Sequence, residues 1–136
     1  MLGLVVTLLN AMGLGVSIDD EVLGIIADNA TERLLNKLNR DDVPDGLILA
    51  WSYMVVGEYL KYAKNAGRLK DAEGNDIVDL DAAVSSISEG DTSVSYAVGA
   101  SNGSSTPEQR LDALIAWLTG YIDSDRGYLR YRRLTW

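Results

Sequence analysis

Residues able to do chemistry are few in this sequence and unevenly placed. Cysteine and histidine are both absent, which removes thiolate nucleophiles, imidazole bases, Cys/His zinc sites and disulfide frameworks. What remains is mostly carboxylate, with one dense oxygen cluster at Asp71, Glu73, Asn75, Asp76, Asp79 and Asp81. Calcium takes such ligands, but an EF-hand loop needs a fixed alternation, a central glycine and a closing glutamate. Gly74 falls out of that register and no glutamate closes the stretch, so a solvated acidic loop is the expectation. A phosphate cradle is the other candidate, at Gly99-Ala100-Ser101-Asn102-Gly103-Ser104-Ser105. A P-loop puts a Lys-Ser/Thr pair after its second glycine. This stretch has no lysine, and its composition is that of a linker. An enzyme built on carboxylates needs them buried and convergent, whereas these gather in a loop. No catalytic activity, cofactor or metal is expected.

The third constellation is the carboxy terminus, Tyr128, Leu129, Arg130, Tyr131, Arg132, Arg133, Leu134 and Trp136. Arginine and aromatic side chains dominate protein interfaces, because planar groups bring large contact area at small entropic cost. Interleaved Arg and Tyr also suit stacking on single-stranded nucleic acid, and Tyr128, Leu129 and Leu134 suit a last amphipathic turn folded on a core. All three readings remain open on composition alone.

The elements that must position these residues are mostly helical. Leu2 to Met12 reads as a short helix closed by Gly13 and Gly15. Ser17 before Asp19 and Asp20 reads as the cap of a second helix, with Ile18, Val22, Ile25, Ile26, Ala30, Leu34 and Leu38 as its core face and an end near Asn39. Pro44 is placed to open a third helix, with Leu47, Trp51, Val55, Tyr59 and Tyr62 on one stripe and Gly67 as the left-handed stop. The charged stretch Arg68 to Asp81 reads as an exposed loop. From Val84 the pattern reads as period two, with Ile87, Val94 and Tyr96 flanking Glu89-Gly90-Asp91 as a β-hairpin. Thr106-Pro107-Glu108-Gln109 opens a last helix with cap, proline and capping-box glutamine; Leu111, Leu114, Ile115, Leu118 and Ile122 give its core face. The expected fold is therefore mainly α: a small bundle of about four helices with a β-hairpin-like excursion within residues 68–105 and an extended carboxy-terminal arm.

Charge divides the chain in the same place. Twelve basic and twenty acidic residues give 136 residues a net charge of −8. Arg126, Arg130, Arg132 and Arg133 fall in the last eleven positions, which hold no acid, so residues 1–125 carry eight basic and twenty acidic residues, a net −12. Such a body argues against generic duplex binding. It points instead to an adaptor domain over 1–125 with an appended arm over 126–136. Met1 to Ile18 carries no charge and touches the lower length limit for a spanning helix, but Gly, Asn, Thr and Ser dilute it and no Lys or Arg precedes it. A short buried helix in an intracellular protein is the expectation.

Three stretches, in order, resemble the head–tail connector (adaptor, or head-completion) proteins of long-tailed bacteriophages. They are Leu38-Asn39-Arg40-Asp41-Asp42-Val43-Pro44-Asp45-Gly46-Leu47, Val84-Ser85-Ser86-Ile87-Ser88-Glu89-Gly90-Asp91-Thr92-Ser93-Val94-Ser95-Tyr96, and the ending Leu129-x-Tyr131-Arg132-Arg133-Leu134-x-Trp136. The resemblance implies a structural virion protein at the head–tail junction, made in the cytoplasm of a bacterial host. It implies a homo-oligomeric ring, typically about twelve-fold, that sits under the portal protein, extends the DNA channel and receives the stopper or tail-completion protein. By the same resemblance, Tyr128 to Trp136 would dock on the portal, and Ile87, Glu89, Asp91, Val94 and Tyr96 would meet neighbouring subunits. Genomic DNA would pass without specific binding, and no membrane is involved. The alternative is a generic helical protein-interaction module with an Arg/aromatic binding tail.

Overall fold

A computed structural model describes residues 2–39, 41–70, 73–74, 77–88 and 107–121. Five α-helices and one 3-10 turn are found among them: α1 Leu2–Ala11, α2 Glu21–Leu38, the turn Asp45–Leu47, α3 Ile48–Asn65, α4 Leu80–Ser88 and α5 Pro107–Thr119. The mainly helical expectation therefore holds. α1, short as its glycines require, ends where Gly13 takes a positive φ of 98° and Leu14 N–H reaches back to the Leu9 carbonyl. Its Val5, Leu8 and Leu9 are buried. No described helix is long and apolar enough to cross a membrane.

α2 begins later than its sequence suggests. Asp20, not Ser17, is the cap, its Oδ1 accepting from Leu23 N–H at 3.0 Å. The Ser17 hydroxyl is spent on a local turn, accepting from Asp19 N–H. The buried stripe then runs Leu23, Ala27, Ala30, Leu34 and Leu38, about half a turn out of phase with part of the expected face. Ile18 and Ile25 are consequently 53% and 60% exposed. The far end is as expected, with Asn39 left-handed at φ 55°.

α3 is the central element. Pro44, extended at ψ 144°, precedes the 3-10 turn, and Gly67 closes the far end at φ 73°. Ala50 through Gly57 are all buried, because α1, α2 and α5 each pack against α3. Leu47, Trp51, Val55 and Tyr59 are buried as expected. α5 opens at Pro107 as the sequence indicates, and Leu114, Ile115 and Leu118 face the core.

The β-hairpin-like excursion must be corrected. Residues 80–88 form α4, and no strand is found among the described residues. Leu80, Ala83, Val84 and Ile87 recur at spacings of three and four, so the helical period wins over the alternating serines. Asp79 caps the helix, its Oδ1 accepting from Ala82 N–H at 3.1 Å. Ile87, expected at a subunit contact, is instead fully buried. Glu89, Asp91, Val94 and Tyr96 lie outside the described residues. The exposed-loop reading of Arg68 to Asp81 also changes: Leu69 and Val78 are buried, and Asp79 N–H bonds to the Met12 carbonyl at 2.9 Å.

Two properties of α3 are open to measurement. A Cβ placed on Gly57 would lie 2.7 Å from the Leu118 Cβ and 3.0 Å from the Thr119 backbone N. Alanine there gains helix propensity of up to about 1 kcal/mol but overpacks the crossing by about 1–3 kcal/mol. We expect Gly57→Ala to lose about 1 kcal/mol and roughly 4 °C in Tm by calorimetry; an unchanged Tm would mean that α5 shifts freely. Tyr59 is the second. Its burial, aided by the Asp20 carboxylate and partly opposed by the Arg68 guanidinium, pushes the phenol above its ordinary 10.0. The unfolded chain therefore loses this proton first, so the stability it contributes is complete below pH 10 and disappears as pH rises through the folded-state value. Urea unfolding should show a smaller alkaline loss of stability in Tyr59→Phe than in the parent; equal losses would refute the assignment.

Candidate interaction surface

α5 runs antiparallel to α3, and three contacts fix this. The Lys64 ammonium pairs with the Asp112 carboxylate near one end. Gly57 meets Leu118 and Thr119 further along. Tyr53 meets the Trp117 and Tyr121 rings at 5.5 and 5.0 Å near the other end. The last described residue, Tyr121, therefore lies beside the first turns of α3. Trp117 and Tyr121 also contact each other at 4.9 Å, so three rings clamp the exit of α5 at the tilted and edge-on angles that aromatic quadrupoles favour. The Tyr53 hydroxyl donates to the Ile87 carbonyl at 3.0 Å. That carbonyl belongs to the last turn of α4, where no intrahelical donor is available. One side chain thus ties α3, α4 and α5 together, with Arg110 on Asp81 at 3.2 Å as a second, more exposed link.

On the opposite side of the same end of α3 lies a groove of about 570 Å³ between α2, the start of α1 and the connection into α3. Its base is Trp51, whose indole N–H donates to the Thr31 hydroxyl at 2.9 Å; that hydroxyl in turn donates to the Ala27 carbonyl at 2.8 Å. Leu2, Ile18, Leu35 and Val43 supply apolar walls. Asp28, Asp41 and Asp42 line it as well, and all three are exposed. An apolar trough with a negative rim suits a segment that carries both aromatic and cationic side chains. A second depression, of about 450 Å³, is different in kind: Glu32, Asn36 and Asn29 line it, and the Arg33–Glu58 ion pair, at 3.3 Å, lies across it.

Among the expected site residues, Ile87 is inside the core and does not reach a surface. The arm, Tyr128, Leu129, Arg130, Tyr131, Arg132, Arg133, Leu134 and Trp136, lies outside the described residues. Within the acidic stretch, Asp79 caps α4 and Asp81 meets Arg110, and no group of three or more potential metal ligands converges among the described residues. Sequence reasoning missed the groove. The available signal was Asp41-Asp42-Val43, acids against an apolar residue directly before the α3 opening, which read only as a polar connection.

The clamp at the α5 exit yields a sharp expectation. Tyr53→Phe keeps the ring contacts but strands the buried Ile87 carbonyl, which should cost about 1–3 kcal/mol. A lower urea midpoint with an unchanged slope is the expected result, and an unaltered midpoint would show that the bond contributes nothing. Comparison with protein-family models, with curated proteins and with solved structures gives no match to this chain.

Proposed function

We propose that this protein is a structural adaptor of a tailed-phage virion, a head–tail connector that forms a ring beneath the portal, extends the DNA channel and receives the stopper or tail. The observation that carries this reading is the partition of the chain into an acidic helical body and an acid-free Arg/aromatic ending, in the order that the connector resemblance implies. The body supports it physically. α5 is clamped to α3 by the three rings and the Gly57 crossing, so the segment beginning at Arg126 starts five residues beyond a rigid anchor, about 18 Å at full extension. An arm rooted in this way can reach a neighbouring molecule without disturbing the bundle.

The net −12 of residues 1–125 suits a wall past which DNA must slide, since like charge disfavours sticking. A single short arm binds weakly, but arms arrayed on a symmetric portal act together through effective concentration. Trp136→Ala is then repeated in every subunit, and its effect is multiplied around the ring.

The test uses DNA-filled capsids that carry their portal and lack this protein. Adding the full-length chain should place a new ring at the portal vertex in negative stain, while Trp136→Ala and a chain ending at Asp125 should leave the vertex bare. No added density with the full-length chain overturns the reading and leaves a helical interaction module with another partner.

A further inference from the structure

We propose that the outer face of α2 is a docking surface for a second copy of this chain, which presents to it the basic end of α3. This deepens the ring reading given above and rests on it for closure into a ring, while the contact itself is a property of the chain alone. The first observation is a helix face that the bundle leaves without a partner. Glu21, Ile25, Asp28 and Glu32 recur at spacings of four, three and four, and all are exposed. They form one stripe on the side of α2 opposite its buried Leu23, Ala27, Ala30 and Leu34. Ile25 is 60% exposed, more than any other large hydrophobic residue among those described. None of the three carboxylates has an ion-pair or hydrogen-bond partner among the described residues, and Asp28 and Glu32, four apart on one helix, repel each other. The isolated chain gains nothing from such a stripe.

The second observation is a surface of complementary charge on the same chain. Residues 59–70 contain no acid and hold Lys61, Lys64, Arg68 and Lys70, four of the eight basic residues in 1–125. Lys64 pairs with Asp112 and Lys70 has contacts of its own, so Lys61 and Arg68 are the cations open to a neighbour. Both are exposed, and neither forms an ion pair among the described residues. The Arg68 guanidinium lies 5.6 Å from the centre of the Tyr62 ring, a contact that steadies it without using its N–H donors and leaves them for a carboxylate.

Charge and direction together select the occupant. α2 packs on α3 through its buried side, so the stripe faces away from α3 and the basic end of the same chain does not reach Asp28 or Glu32. Two α2 stripes placed face to face would set carboxylate against carboxylate. Nucleic acid is disfavoured at the basic end, because the rest of 1–125 holds twenty acidic and four basic residues and repels phosphate. The same field attracts the basic end of another copy. The two surfaces are different, so the contact is heterologous, and its repetition closes into a ring when the rotation between copies allows.

The absence of native cysteine makes the test direct in full-length chains that carry one introduced thiol each. Asn29→Cys, one turn from Ile25, marks the stripe, and Asn65→Cys, between Lys61 and Arg68, marks the basic end; Ala116→Cys on α5 is the control, and all three positions are exposed. Asn29→Cys chains are mixed under mild oxidation at low salt with size-tagged Asn65→Cys or Ala116→Cys chains. The Asn29→Cys/Asn65→Cys dimer should exceed the control dimer and both homodimers several-fold, and should fall several-fold at high salt. Asp28→Lys/Glu32→Lys in the first chain should abolish it, and Lys61→Glu/Arg68→Glu in the second should then restore it, with circular dichroism confirming intact bundles. Equal yields for test and control pairs overturn the proposal, as does a crosslink that the swapped charges fail to restore. No crosslink, with duplex DNA retarded by the parent chain but not by Lys61→Glu/Arg68→Glu, overturns it in favour of nucleic acid. Neither capsid nor portal is present, so the connector reading can fail while this contact stands, and the reverse.

Discussion

Everything in this fold depends on burying α3 on nearly every side. A helix in which Ala50 through Gly57 are all sealed from water has no solvent face on which to leave polar tips, so each one must find a protein partner. The Ser52 hydroxyl turns back to the Ile48 carbonyl at 2.8 Å. The Trp51 indole goes to Thr31 on α2 and the Tyr53 hydroxyl to Ile87 on α4. Two of these three bonds are long-range, so they do more than satisfy an atom: they specify which helix lies on which side of α3. Gly57 adds the complementary constraint on the third side, where its missing side chain lets α5 approach closely.

That arrangement also explains why the two ends of the molecule differ. Near Lys64 the α3–α5 contact is an exposed ion pair with Asp112, of the kind that contributes little at high dielectric. Near Tyr53 the same helix pair is held by three rings, and the Tyr53 hydroxyl adds a buried hydrogen bond to α4 at the Ile87 carbonyl. The firm end is the one from which the Arg/aromatic segment departs and the one that carries the groove.

The sequence made the helices legible where local chemistry and tertiary need agree. Pro107 starts α5, Asn39 and Gly67 end α2 and α3, and the Leu47-Trp51-Val55-Tyr59 stripe is buried because period, caps and core all point the same way. It misled where two local signals compete. Ser17 and Asp20 are both good caps, and Asp20 wins; which face of α2 is buried is decided by its packing on α3, which takes Leu23 and leaves Ile25 exposed. The serines within 85–88 suggest strand alternation, yet Ala83 and Ile87 are both fully buried, which one face of a helix packed on α1 and α5 achieves and an alternating strand does not. The groove was illegible for a related reason. It is made by the start of α1, the middle of α2 and the connection into α3, and no single stretch of sequence carries its signature.

The chain's charge partition has a physical consequence of its own. Residues 1–125 carry a net −12 against an acid-free ending with four arginines. Attraction between parts of opposite sign acts at short range and is screened by salt, and each exposed charge pair contributes only a few tenths to about 1 kcal/mol. A partner that presents one site to such an ending therefore gains little, whereas a symmetric partner that engages many copies together gains the product of many small advantages.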